Sequence, residues 1–157
     1  MRQILRQFEV QPDPWRYPDE VGEGPRALTL AALQAAATAG TLAGGAGVLL
    51  GPGEDVLLLA PCIAQLALVI VQVPKPGDGR AFSQAQLLRQ RLGFRGELRA
   101  TGAVRRDQLF LLARCGCDAF ELAPGEDVQG ALAQLQRFSV AYQRAADTLV
   151  QPRMRGA

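Results

Sequence analysis

The run from Leu66 to Val73 constrains the fold of this chain more than any other stretch. Its residues are LALVIVQV, apolar apart from one glutamine and rich in β-branched side chains. A strand with one solvated face alternates apolar and polar residues, whereas a parallel strand covered on both faces is apolar along its length. The run therefore predicts a buried strand of a parallel sheet, and it is far too short to cross a membrane as a helix.

Helical and strand patterns alternate downstream of this run. A capping box of Ser83 and Gln86, with Gly93 as a stop, predicts a helix from Ser83 to Leu92. The elements that follow are a strand, a helix, a strand and a helix, over Glu97–Thr101, Val104–Cys115, Ala119–Leu122 and Asp127–Ala146. This alternation predicts βαβ units and an α/β fold with a parallel sheet of about four to five strands and flanking helices.

Two architectures satisfy this alternation. An open sheet fits the length, whereas a closed eight-strand barrel needs about 250 residues. Half of a TIM-like barrel that pairs with a second copy as a dimer is the alternative.

Upstream of the central run, residues 1–27 are interpreted as an arm or hairpin that docks its aromatic side chains on a single α/β domain, residues 28–150. The predicted elements there are a helix over Leu28–Ala39 with Thr29 as N-cap, a strand over Val48–Leu50 and a helix over Glu54–Ala60. Residues 151–157 are expected to be a frayed tail.

Composition excludes several functional classes. The 17 basic and 15 acidic residues leave a net charge of +2, too balanced to indicate binding to nucleic acid or a membrane surface. Three cysteines do not imply a disulfide framework. Because no apolar run follows Arg2 and Arg6, no signal peptide is predicted, and a cytoplasmic protein is expected.

The chain contains no histidine. This removes Ser-His and Cys-His nucleophile pairs, haem ligation by histidine and most zinc sites. The cluster Gly44-Gly45-Ala46-Gly47 precedes a strand instead of following one, so it does not fit a dinucleotide fingerprint. No cofactor or metal site is therefore evident, and Cys115 is predicted to be a buried thiol instead of half of a redox pair with Cys117.

The candidate site lies in loops at the carboxyl ends of the predicted strands, where ligands bind in parallel α/β folds. The loop from Pro74 to Arg80 holds the only lysine of the chain, Lys75, together with Asp78, Gly79 and Arg80. The two glycines of this loop allow the backbone to approach a bound anion closely, and its two cations attract that anion. A simple surface turn would explain the same residues.

The strand Glu97–Thr101 carries charge where a central parallel strand is normally apolar. Alternation places Glu97, Arg99 and Thr101 on one face. A buried charge is normally paired, so Arg99 is expected to meet Glu97, Glu121 or Asp78 in a site, unless the strand lies at an edge or a subunit interface. An arginine here also suits a carboxylate, phosphate or sulfur oxyanion.

A third feature is the helix start at Arg105 and Arg106, where the helix dipole disfavours cations. Asp107, a bound anion or an acidic partner surface would offset that effect. The anion- or ligand-binding candidates are therefore Lys75, Asp78, Gly79, Arg80, Glu97, Arg99, Asp107, Gln108 and Glu121; no catalytic residue is assigned.

Much of the chain resembles a known bacterial family of unknown function. The resemblance is densest in Pro74-Lys75, Asp78-Gly79-Arg80, Ser83, Ala85, Leu87-Leu88-Arg89, Arg91-Leu92-Gly93, Gly96 to Ala100, Arg106-Asp107-Gln108, Arg114-Cys115-Gly116 and Asp118-Ala119-Phe120, and extends to Asp13, Trp15 and the segment 138–143. The family is typically encoded beside assimilatory sulfite reductase and often labelled a probable oxidoreductase of sulfite reduction.

The resemblance implies a place in sulfur assimilation. It suggests an auxiliary protein that acts with sulfite reductase or its electron donor. Two alternatives stay open: a small-anion-binding domain or enzyme, and a redox enzyme that borrows a flavin or nicotinamide. A homo-oligomer is also possible. The chain departs from the family pattern at several positions. Ala103 replaces an aspartate that would serve in catalysis or as a helix N-cap, and Val73, Pro76, Arg105 and Cys117 also differ.

Overall fold

The computed structural model describes residues 1–138. The apolar run forms the strand Leu66–Val73 with the predicted bounds, and it lies inside a seven-stranded sheet. The strands are β1 (Gln3–Arg6), β2 (Glu9–Pro12), β3 (Ala27–Thr29), β4 (Ala46–Leu50), β5 (Leu66–Val73), β6 (Glu97–Gly102) and β7 (Ala119–Phe120). Their order across the sheet is β2-β1-β7-β6-β5-β4-β3.

The sheet is mixed and has more strands than predicted. Strands β3 to β7 are mutually parallel, whereas β1 and β2 form a hairpin that adds antiparallel to β7. Strand β3 escapes prediction because three residues are too few for a periodicity. The hairpin strands are short and carry charges, so their pattern does not separate them from an extended arm.

The helical elements lie between the strands. They are α1 (Leu30–Thr38), a 3₁₀ helix (Val56–Gln65), α2 (Arg80–Gln86) continued by a π-helical turn (Leu87–Arg91), a 3₁₀ turn (Arg106–Gln108) leading into α3 (Leu109–Arg114), and α4 (Val128–Phe138). The N-cap prediction for α1 is confirmed, since Thr29 accepts a hydrogen bond from the Ala32 amide at 3.1 Å. The predicted end of the last helix, near Ala146, lies outside the described residues.

Side-chain caps explain two of the helix starts that differ from prediction. The Ser83–Gln86 capping box is wrong, because α2 begins three residues earlier at Arg80, where Asp78 accepts a hydrogen bond from the Arg80 amide at 3.1 Å. The predicted Glu54–Ala60 helix is instead the 3₁₀ helix Val56–Gln65, whose N-cap Asp55 accepts from the Leu57 amide. In both places a carboxylate one or two residues before the observed helix accepts a hydrogen bond from an amide in its first turn.

All helices lie on one face of the sheet. Successive parallel strands β3 to β7 are neighbours in sequence order, so right-handed crossovers place every connection on the same side. The larger core cluster accordingly joins one alternating set of strand residues, Val48, Val69, Val71 and Leu98 among them, to helix residues such as Leu33, Leu59, Leu88 and Leu112. We call this side the helix face.

The sheet is strongly curved. The Arg16 amide donates a hydrogen bond to the Pro25 carbonyl, and the Arg16 carbonyl accepts one from the Ala27 amide. Arg16 therefore lies beside the start of β3, although it is only four residues after the end of β2 at Pro12. Four residues span at most about 14 Å, whereas seven flat strands would separate the two edges by about 29 Å. The face opposite the helices must therefore be concave, and residues 13–17, here called the crossing segment, run across it.

The crossing segment fills this concave face with aromatic side chains. Trp15 and Tyr17 pack against Ala27, Leu68 and Ile70, which form a second, smaller core cluster. In a half barrel that pairs with a second copy, this is the face that the copy would cover. Here the chain covers it with its own residues.

Among residues 1–138, no helix combines the length and the apolar character that a membrane span requires.

Substitution of Gly47 tests the packing of Trp15. A Cβ atom at position 47 would lie 2.6 Å from the Trp15 ring, whereas at Gly44 it would meet nothing within 4 Å. We expect Gly47→Ala to lower the free energy of unfolding by about 1–3 kcal/mol, as overpacking does, and Gly44→Ala to leave it nearly unchanged. Urea denaturation measures both, and equal stability of the two variants would contradict the packing described.

Candidate functional site

Arg99 is the centre of the charged cluster on the concave face. Strand β6 lies between β5 and β7, and its alternation directs Leu98 and Ala100 into the helix-face core. Arg99 points the other way and is fully buried, at 0% exposure. Its Nε and Nη2 donate to Glu97 Oε1 at 3.0 and 2.7 Å, and Nη1 donates to Asp13 Oδ2 at 2.7 Å.

The pairing of Arg99 with Glu97 was one of the predicted outcomes, whereas Asp13 was not among the expected partners. Asp13 replaces the proposed Glu121 and Asp78 because the crossing segment brings it over β6. Burial by itself would lower the pKa of the Arg99 guanidinium, but the carboxylates of Glu97 and Asp13 hold that pKa above its ordinary value.

Arg2 connects Asp13 to the strand ends. Its Nη1 donates to Asp13 Oδ2 at 3.0 Å, its Nε lies 3.1 Å from Glu121 Oε1, and its Nη2 pairs with Glu20. The guanidinium also stacks on the Tyr17 ring, 3.7 Å from the centroid. Three carboxylates therefore surround this one arginine.

Glu121 forms the other end of the cluster, just beyond β7. Its Oε2 accepts from the Tyr17 hydroxyl at 2.5 Å and from Thr101 Oγ1 at 2.6 Å. Burial and the hydrogen bond to the Glu121 carboxylate raise the pKa of Tyr17 to about 12, because both disfavour a phenolate at this position.

One further pair completes the cluster, since Arg6 of β1 donates to Glu97 Oε2 at 2.8 Å. We call the connected set the interior network: Arg2, Arg6, Asp13, Tyr17, Glu20, Glu97, Arg99, Thr101 and Glu121. It contains three arginines and four carboxylates. Its positive charge is thus matched by residues of the same chain.

The interior network meets solvent at a cleft of about 450 Å³ beside the crossing segment. The cleft walls include Arg2, Trp15, Arg16, Glu20 and Glu23. The Arg2 side chain is 19% exposed, whereas the Arg99 side chain is fully enclosed. A ligand in this cleft would therefore reach the Arg2 end of the network.

The loop with Lys75 belongs to a different environment. Arg80 pairs with Asp78 at 2.6 Å, and its side chain approaches the position of a Cβ on Gly53. The hydrogen bonds from the Arg80 side chain and amide lower the pKa of Asp78 to about 2. Gly79 is the N-cap of α2, and Lys75 is exposed, so these residues form a helix start with an adjacent cation.

The Arg105–Arg106 turn is neutralised by a residue that the sequence did not single out. Glu126 accepts from the Arg106 amide at 3.0 Å and lies 3.5 Å from Arg105 Nε. Gln108 accepts from the Arg105 amide at 2.9 Å, whereas Asp107 is exposed. The carboxylate that offsets the unfavourable dipole is therefore Glu126, from the loop after β7.

Position 103 is not a helix cap. Arg105 occupies the N-cap of the following 3₁₀ turn, and the Ala103 amide donates to the Val73 carbonyl at 2.7 Å. An aspartate at position 103 would therefore stand between two strand ends, ahead of the cap.

The three cysteines are buried and none of them forms a disulfide, and burial of the Cys115 thiol was predicted. Burial raises the pKa of the Cys117 thiol well above its ordinary value, which disfavours the reactive thiolate. No group of three or more Cys, Asp or Glu side chains within residues 1–138 has an arrangement suited to a metal ion.

The structure thus joins Glu97, Arg99 and Glu121 of the predicted candidates. Sequence reasoning missed the role of Arg2, Arg6 and Tyr17 as their partners. The alternation Asp13-x-Trp15-x-Tyr17 could have indicated an extended segment with one buried face. No local pattern indicates which face of the sheet that segment crosses.

Removal of Arg99 tests the enclosed pair. We expect Arg99→Met to lower the free energy of unfolding by about 3 kcal/mol, because it breaks two buried ion pairs and leaves Asp13 with Arg2, and Glu97 with Arg6, as the remaining cation. The double variant Asp13→Asn with Arg99→Met should recover part of that loss. Arg80→Met, which breaks an exposed pair, serves as the control and should lower the free energy of unfolding only slightly, and much less than Arg99→Met, in the same denaturation experiment.

Titration of Tyr17 provides a second test. Its folded-state pKa of about 12 lies above the ordinary value of 10.0, so its stabilising contribution is complete below pH 10 and is lost as pH rises toward 12. In a Tyr142→Phe background, the ultraviolet absorbance of phenolate should therefore rise near pH 12. Glu121→Gln should move the midpoint down, and a midpoint near 10 in the parent protein would refute the contact.

Comparison with known proteins addresses the family of the chain. No curated protein matches it. The model of a family described as bacterial protein of unknown function (DUF934) matches residues 47–152, which is more than half of the chain and includes most of β4 and all of β5 to β7. Arg99 and Glu121 lie inside the matched region, whereas Arg2, Asp13 and Tyr17 precede it. This chain therefore belongs to the DUF934 family of bacterial proteins.

Proposed function

We propose that this protein is an auxiliary factor of assimilatory sulfite reduction that acts by contact with sulfite reductase or its electron donor. The pathway comes from the resemblance of residues 74–120 to a family encoded beside that reductase. The family to which residues 47–152 belong has no known function, so the pathway assignment depends on the resemblance alone.

The observation that carries the mode of action is the enclosure of Arg99. A small anion that used this arginine would have to displace Glu97 or Asp13, both of which hold it at 2.7 Å. Displacement would break a buried ion pair and leave Asp13 with Arg2, or Glu97 with Arg6, as its remaining cation, which costs up to several kcal/mol. The interior network is thus better suited to hold the crossing segment in place than to capture substrate, which favours action through the outer surface.

A second candidate function is binding of a small anion such as sulfite, sulfate or a phosphorylated metabolite. The cleft beside Arg2 and Arg16 favours it, because its volume of about 450 Å³ suits a small ligand. The acidic walls Glu20 and Glu23 oppose it, since they repel an anion at the entrance. In this alternative, the anion would not contact Lys75, Asp107 or Gln108, because none of them lines the cleft.

A co-purification experiment tests the main proposal. Tagged protein expressed in its own bacterium should retain sulfite reductase or its electron donor, with or without added sulfite, and a strain lacking the protein should grow slowly on sulfate but normally on cysteine. Normal growth on sulfate, together with failure to retain either protein, would rule the proposal out.

Calorimetry separates the two candidates. The auxiliary role predicts no heat of binding for sulfite or sulfate at millimolar concentration. The anion-binding role predicts saturable heat that disappears in Arg2→Met, a variant at the solvent-exposed end of the network. Saturable binding that survives in both Arg2→Met and Arg99→Ala would exclude the interior network as the anion site.

A further inference from the structure

The arginines of this chain are concentrated in one stretch. Residues 80–117 contain eight arginines and only two acids, Glu97 and Asp107. Two of the arginines, Arg89 and Arg99, are buried. Three others lie toward the strand carboxyl ends and pair with carboxylates: Arg80 with Asp78, Arg105 with Glu126 and Arg106 with Asp127.

The remaining three arginines lie at the opposite end of the domain. Arg91 ends the π-helical turn, Arg114 ends α3, and Arg95 lies in the loop that leads into β6. Buried Arg89 connects the segment after α3 with the loop before β6. Its Nε donates to the Gly116 carbonyl at 2.9 Å, and its Nη1 donates to the Phe94 carbonyl at 2.8 Å. The end of the π-helical turn, the end of α3 and the loop before β6 are therefore close to one another.

Two exposed leucines accompany these arginines. Leu87 is 39% exposed and lies four residues before Arg91, and Leu111 is 49% exposed and lies three residues before Arg114. Residues three or four apart share one face of a helix. Helix α2, which continues into the turn with Leu87, also packs against α3, so the two leucine–arginine pairs lie on neighbouring helical elements of the helix face.

We propose that this Leu–Arg surface, formed by Leu87, Arg91, Arg95, Leu111 and Arg114, docks an acidic protein surface with apolar side chains at its centre. Arginine is enriched in protein–protein hot spots, and the adjacent exposed leucines supply apolar surface that a partner can bury. The charge selects the occupant: a carboxylate-rich partner complements three arginines at this end of the helices.

Two other occupants fit the charge less well. A second copy would bring the same arginines against one another in a two-fold contact. The segment 139–157, outside the described residues, carries three arginines and a single aspartate, so it too repeats the charge of the surface. An acidic partner has neither conflict.

This inference rests on the proposed function only where it names sulfite reductase with its electron donor as the first probe. The assay is biolayer interferometry of wild type and variants against that purified complex. We expect Leu111→Ser and Arg114→Glu each to weaken binding about tenfold or more, with an unchanged circular dichroism spectrum. Leu57→Ser, at another exposed leucine, and Arg26→Glu, at the β3 edge, should bind like wild type.

The outcomes separate the two claims. Binding by wild type that Leu111→Ser and Arg114→Glu leave intact would overturn the Leu–Arg surface and keep the proposed function. Absence of binding by wild type would count against the proposed function. The Leu–Arg surface is then tested with a second probe, a synthetic amphipathic helix of leucine and glutamate, and a peptide with lysine in place of glutamate serves as the control.

Binding of the second probe is measured by changes in the amide chemical shifts of the protein in NMR spectra. Shifts confined to residues 87–95 and 109–116, caused by the glutamate peptide and not by the lysine peptide, would support the surface. Shifts elsewhere, or none, would overturn it. A wild-type dimer in analytical ultracentrifugation that Leu111→Ser dissociates would also overturn it, by assigning the surface to a second copy.

Discussion

The pairing of Arg99 with Glu97 and Asp13 is the contact on which the concave side of this protein depends. An arginine in the middle of a parallel strand has no access to water, so it requires carboxylates on the same face. One of them, Glu97, is two residues away on the same strand. The other, Asp13, comes from the crossing segment, and that segment in turn joins β2 to the start of β3. A charge buried in the sheet thereby holds its N-terminal region across the concave face.

The same arrangement explains how the two faces divide their roles. The helix face buries the larger apolar core, and the concave face combines a small apolar cluster under Trp15 and Tyr17 with the interior network. In a closed parallel barrel, ligands bind at the carboxyl ends of the strands, and packed side chains fill the concave side. Here the chain's own side chains occupy it, and its arginines are neutralised internally. Contact with other molecules is then expected on the helix face, where leucines and arginines are exposed.

The candidate site was predictable only in part. Alternation along β6 placed Glu97, Arg99 and Thr101 on one face, and burial of charge required a carboxylate partner for Arg99. Both statements follow from local geometry. The choice of Asp13 over Glu121 or Asp78 does not, because it depends on a segment 86 residues away in sequence. Likewise, Glu126 neutralises the start of the Arg106 turn from across the strand ends, where a nearest-neighbour argument suggested Asp107.

The sequence by itself determined the elements whose signals are local: the apolar strand β5, its alternation with helices in a parallel sheet, the Thr29 cap of α1 and the buried thiol at Cys115. These signals depend on periodicity and on hydrogen bonds between near neighbours. The tertiary structure decided the rest. It set the two additional antiparallel strands, the curvature of the sheet and the enclosure of Arg99 by carboxylates. Each of these features arises from contacts between residues far apart in the chain, for which one sequence carries no local pattern.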